Sequence, residues 1–136
     1  MDEPDETLSL IIFSGTDDKL TSASTLVVGA AALGRRVDIL LQFWGLDAFR
    51  ADSVHREHGV APEAPSDGAR RLHDAHLAHW ADVFAQAKEV GEVSIHACAQ
   101  SMDALGITEQ QLDPLVDGVE GIAAFMAEAN GPVVFI

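Results

Sequence analysis

Leu8-Ser9-Leu10-Ile11-Ile12-Phe13, closed by Ser14-Gly15-Thr16-Asp17-Asp18, is the stretch on which the fold of this chain turns. An apolar run of that length, ended by turn-forming residues, suits a strand covered on both faces, as in a parallel sheet. Outward from it, residues from about Lys19 to Leu33 are rich in Ala, Leu and small side chains, and Gly34 reads as a helix stop. Val37 to Phe43 reads as a second strand, with Trp44-Gly45 at its exit. Strand, helix and strand at this spacing make a βαβ unit of the usual right hand.

The alternation continues downstream. Leu46 to Arg50 reads as a short helix, and 51–70, with Pro62, Pro65 and Gly68, as an excursion without a clear period. A helix is expected from about Arg71 to Lys88, a third strand over Glu92 to Ala97, and a helix from Ser101 to Leu105 that Gly106 stops. Thr108 to Leu112 follows as a helical turn. Asp113 to Asp117 is expected as a short fourth strand, Val119 to Ala129 as a helix, and Pro132 to Ile136 as the last strand. These elements predict one α/β domain over 8–136, with a parallel sheet of about five strands and helices on both faces. Residues 1–7, with Asp2, Glu3, Asp5 and Glu6, read as an acidic tail.

At 136 residues the chain is the size of one domain, and a hydrophobic fraction of 48% suffices for a core. Eight Lys and Arg against 22 Asp and Glu give a formal net charge of -14, a field that repels phosphate backbones and anionic lipid. Neither nucleic acid nor membrane is expected as a partner. No run approaches the roughly 20 apolar residues of a membrane span, and the acidic start does not resemble a signal peptide. With one cysteine no internal disulfide can form, and a cytoplasmic location is expected.

That cysteine, Cys98, stands just past the third strand and before a helix. A helix start favours an anion, so a thiolate there is stabilised. Gln100 and Ser101 offer further donors, and His96, two residues back on the strand, projects to the same side. Against this stands the plain reading of a lone Cys in an Ala-rich stretch as a small buried hydrophobe.

A resemblance bears on the choice. Phe13-Ser14-Gly15 with Lys19, Ala30-Ala31 with Gly34, Phe43-Trp44-Gly45-Leu46, Ala97-Cys98 with Ser101-Met102-Asp103, Gly106-Ile107 and Gly118-Val119-Glu120-Gly121 follow in order along the chain. In these residues it resembles the DsrE/DsrF-like superfamily, in the DsrE-like branch often labelled peroxiredoxin-family. The resemblance implies a flavodoxin-like α/β fold, a homo-oligomer (trimer or hexamer), and a cysteine that carries persulfide sulfur between a donor and an acceptor protein or small thiol. Cys98 matches the position of that cysteine. Ser14, Gly15, Trp44, His96, Gln100 and Ser101 are candidate pocket residues around it. A single thiol favours a carrier over a two-cysteine redox enzyme, which needs a second thiol to resolve the first. The rival reading keeps the fold, makes Cys98 packing, and assigns partner binding to the variable 51–80 region.

No cofactor or metal is expected. His73, His76 and His79 fall at i, i+3 and i+6 of the expected Arg71 helix, and His55 or His58 would have to complete a ligand set that matches no standard zinc signature. A partly buried helix face or a subunit interface accounts for them better. Ser14 to Lys19 lacks the glycine spacing and ending of a phosphate loop, and reads as a strand-to-helix turn with an Asp cap. The Gly-x-Ser-x-Gly elbow of a serine hydrolase is missing. Glu120 suits a helix start, unless it faces Cys98 and opposes the thiolate.

Overall fold

The computed structural model describes residues 6–136, so Asp2, Glu3 and Asp5 of the expected tail lie outside the described residues. The next two residues are tied down. Glu6 pairs with Arg35, and the Thr7 amide donates to the Asn130 side chain at 2.8 Å.

Five strands, β1 (Leu8–Ile12), β2 (Val37–Leu41), β3 (Val93–Cys98), β4 (Gly118–Glu120) and β5 (Val133–Phe135), form one parallel sheet in the order β4-β3-β2-β1-β5. The chain steps outward from β1 to β4, then returns to place β5 on the other flank of β1. The expected α/β class and its parallel sheet are therefore observed. The helices are α1 (Asp17–Ala32), α2 (Phe43–Ala48), α3 (Gly68–Asp74), α4 (Trp80–Val90), α5 (Ala99–Leu105) and α6 (Ile122–Glu128), with a 3-10 turn at Glu109–Gln111.

Strand alternation sorts the side chains into two layers of unequal thickness. Leu8, Leu10 and Ile12 of β1, Val37, Ile39 and Leu41 of β2, and Ile95 and Ala97 of β3 pack against α1 and α4 in the main core. There Phe84 and Trp80 of α4 meet Phe49, with ring centroids 5.5 Å and 5.1 Å from it. The opposite face carries a small cluster, Ile11, Leu40 and Cys98, under Phe125 of α6. The expected cover on both faces is thus present, but thick on one and thin on the other.

Four expectations need correction. The helix expected from Arg71 to Lys88 is two helices: α3 ends at Asp74, and α4 begins at Trp80. His76 between them adopts φ 51, and His79 caps α4 by accepting the Ala81 amide at 3.0 Å. His73, His76 and His79 therefore do not share one helix face. The strand expected over Asp113–Asp117 is a turn, in which Asp113 accepts the Leu115 amide at 2.9 Å. Pairing with β3 starts only at Gly118 and takes in Val119 and Glu120, so the helix expected from Val119 begins instead at Ile122. Lastly, the N-cap of α1 is Thr16 and its side chain makes no capping bond.

Asp17 and Asp18 serve the excursion instead. Asp17 accepts the His58 amide at 2.8 Å and the Trp80 indole at 3.0 Å, and both Asp18 carboxylate oxygens accept the Ala61 amide at 3.1 Å. Burial pushes the Asp18 carboxyl up, but the hydrogen bonds it accepts, from the Ala61 and Lys19 amides among others, outweigh this and hold it below its ordinary value.

Candidate functional site

The carboxyl ends of β1, β2 and β3 converge, as ligand-binding edges of parallel sheets do. Two glycines let the backbones meet there. A Cβ at Gly15 would lie 2.3 Å from the Trp44 carbonyl oxygen, and one at Gly45 2.3 Å from that of Ile12. Gly45 also donates its amide to Phe13 O at 2.8 Å, and Gln42 donates its own to Ile12 O at 2.9 Å. Between them Phe43 takes φ 43, a conformation costly for an aromatic residue and sustained only where the surroundings enforce it.

Cys98 closes β3 and forms the N-cap of α5. No backbone bond of the helix start reaches its sulfur. Its polar neighbour is Gln42, whose side-chain amide stands 4.0 Å from Sγ. The thiol has no solvent exposure and packs with Ile11, Leu40 and Phe125. Its geometry is therefore that of a covered thiol at a functional edge.

The other sequence candidates fall out unequally. His96 shares the face of Cys98, as alternation requires, and its Nδ1 stands 3.6 Å from Glu120 Oε2. Glu120 belongs to β4 and lies in register opposite Cys98, so it is a strand residue and not a helix start. Ser101 is fully buried with an unpartnered Oγ, whereas Gln100 points to solvent. Ser14 and Gly15 form the turn after β1, with Ser14 donating its amide to Ile136 O at 3.1 Å. Trp44 is 55% exposed on the rim. Beside it Phe13 packs against Phe43 and Phe135, with ring centroids 5.8 Å and 5.9 Å away.

Two residues at the thiol escaped the sequence reading. Gln42 was legible in principle: it extends β2 on the side of Leu40, which strand alternation points toward the face of Cys98. Phe125 was not, because only the tertiary fold brings α6 across β1, β2 and β3. Among the described residues no group of three or more His, Cys, Asp or Glu side chains is arranged to hold a metal ion. No helix among them is long and apolar enough to cross a membrane.

Comparison with known proteins agrees with this architecture. The uncharacterized protein YrkE of Bacillus subtilis (strain 168) is 26% identical, over 96% of this chain and 95% of its own. The solved structure of MTH1491, a protein of unknown function from Methanobacterium thermoautotrophicum, superposes with a TM-score of 0.63 at 14% identity, covering 97% of this chain and 100% of that one. The ychN protein of E. coli superposes with a TM-score of 0.56 at 13% identity, covering 96% and 99%. Residues 4–67 match the DsrE/DsrF/DrsH-like family, a stretch that ends before Cys98. The likeness read from the sequence thus holds over residues 4–67, where the chain is similar to the DsrE/DsrF/DrsH-like family, and over nearly its whole length it shares the α/β fold of these two solved structures.

Proposed function

We propose that this chain is a cytoplasmic sulfur-relay protein in which Cys98 accepts sulfane sulfur and passes it to a partner thiol. The observation that carries the reading is the place of Cys98: the single thiol of a DsrE-like fold, at the carboxyl edge of the sheet, with the Gln42 amide 4.0 Å from its sulfur. In the transfer, the Cys98 thiolate attacks the terminal sulfur of a donor persulfide or polysulfide. A new S–S bond forms, the donor's S–S bond breaks, and the donor leaves as a thiolate. An acceptor thiolate then repeats the step on the Cys98 persulfide, so the cycle needs no outside oxidant or reductant. The Gln42 amide, 4.0 Å from Sγ, is the side-chain donor within reach of the charge on sulfur. Phe125 of α6 belongs to the apolar cluster that buries the thiol, and access to Cys98 requires that cluster to open.

Donor and acceptor are proteins or small thiols, and the protein works as a homo-oligomer. Val133 and Phe135 of β5, Ile122 and Met126 of α6, and Trp44 are exposed apolar side chains that a second copy would cover.

A second reading is favoured by one fact, the complete burial of Cys98. On it the thiol is packing, buried cysteines in apolar settings being inert, and the protein is an interaction module. Intact-mass spectrometry after incubation with polysulfide separates the two. One added sulfur atom on the wild type, absent from Cys98→Ser and removed by a reducing thiol, is the expected result. No adduct with any sulfane donor would leave the interaction module.

A further inference from the structure

Five of the six histidines, His55, His58, His73, His76 and His79, fall between positions 55 and 79. The broken helix and the pinned excursion fold this segment around an open cleft of about 360 Å³. That volume lies within the range of small-molecule sites, roughly 300–1,000 Å³. Four of the histidines, all but His58, line the cleft together with Trp80. Its apolar wall includes Val60 and Leu72.

One buried polar atom of the cleft lining lacks a partner among the described residues. His79 Nδ1 accepts the Ala81 amide at 3.0 Å, so the neutral ring must carry its proton on Nε2. Nε2 is buried and makes no hydrogen bond among the described residues. A buried donor left unpaired costs free energy that a ligand acceptor would recover. The His55 ring lies 5.3 Å from the His79 ring, exposed and with no hydrogen bond among the described residues, so it can turn to admit a ligand. His76, at the helix break, is held at φ 51, the kind of local strain that accumulates at binding sites.

Charge narrows the class of ligand. Asp17 lines the cleft with its carboxylate already taken by the Trp80 indole and the His58 amide, and Arg56 and Glu57 bring one charge of each sign to an otherwise uncharged, ring-rich lining. In a chain of net charge -14 this setting disfavours an anion. A metal ion finds no ligand group of three among the described residues. We propose that the cleft binds a small neutral heteroaromatic or aromatic carboxamide ligand, its acceptor on His79 Nε2–H and its ring against the imidazoles and Leu72. Cys98 is not among the residues that line this cleft, and the site does not depend on the sulfur-relay reading.

The test is an NMR titration of the full chain with nicotinamide as probe. The chain has two tryptophans, so two indole N–H signals are expected. The Trp80 signal should shift saturably while that of the exposed Trp44 stays in place. His79→Asn keeps a capping acceptor for α4 but removes the Nε2 donor, and should weaken binding about tenfold. Ala69→Phe, from an exposed position on the α3 wall, should block the cleft without touching the core or adding a third indole signal. Benzoate, of similar size but anionic, should bind more weakly than nicotinamide. The proposal is overturned by a Trp80 signal that does not saturate, by wild-type affinity in either variant, or by benzoate binding as well as nicotinamide.

Discussion

The two faces of the sheet are built to different standards. On one, α1 with 16 residues and α4 with 11 bury the main core, including the Phe49, Trp80 and Phe84 rings. On the other, α6 with 7 residues covers Ile11, Leu40 and Cys98 through Phe125, while its own Ile122 and Met126 stay exposed. The thick face holds the fold together. The thin one buries a thiol in a small cluster that holds a single aromatic side chain, and short helices with few buried contacts are the first to open.

The contrast breaks or sharpens under three measurements. The largest effect is expected for Phe84→Ala, which hollows the thick core and should cost about 4 kcal/mol in a denaturant titration. Phe125→Ala should cost less, about 3 kcal/mol, because α6 is short and can settle into the gap. It should also speed the reaction of Cys98 with a soluble thiol reagent, which Phe84→Ala should not do while the protein stays folded. Equal losses from the two substitutions, or a thiol whose reaction is indifferent to Phe125, would remove the distinction between the faces.

The smallest effect is one of pH. Burial, reinforced by the neighbouring His55, lowers the affinity of His79 for a proton below the ordinary histidine value of 6.5, against the opposing pull of Asp17 and Asp82. Between pH 6.5 and that lower folded value the unfolded chain binds the proton and the folded chain does not. Stability should therefore decline as pH falls through this window and level off below it. In His79→Asn that part of the decline should vanish. A slope unchanged by the substitution would show that His79 does not titrate in this way.

How legible the molecule was depends on the range of the forces involved. The β1–α1–β2 unit was readable because each element repeats its own burial pattern over a few residues, and Gly34, at φ 81, marks the exit from α1 where expected. The place of Cys98 at the end of β3 followed from the same periodicity. The break between α3 and α4 did not: Leu72, Ala75, Val83 and Ala87 continue a helical period across it, while the cap from His79 and the turn at His76 interrupt the backbone. The onset of β4 at Gly118 was likewise hidden. Asp117 accepts the Ile95 amide at 2.8 Å and ion-pairs with Lys88, long-range contacts that hold this aspartate just ahead of the strand.

The sequence by itself determined the α/β class, the parallel strands and the position of one thiol at a strand end, since these rest on local apolar patterning and turn residues. Tertiary structure alone decided that β5 flanks β1, that Phe125 covers Cys98, and that the histidines gather around a cleft instead of lining a helix. Those outcomes depend on which segments meet in space, and contacts between segments tens to more than a hundred residues apart leave no period in the chain.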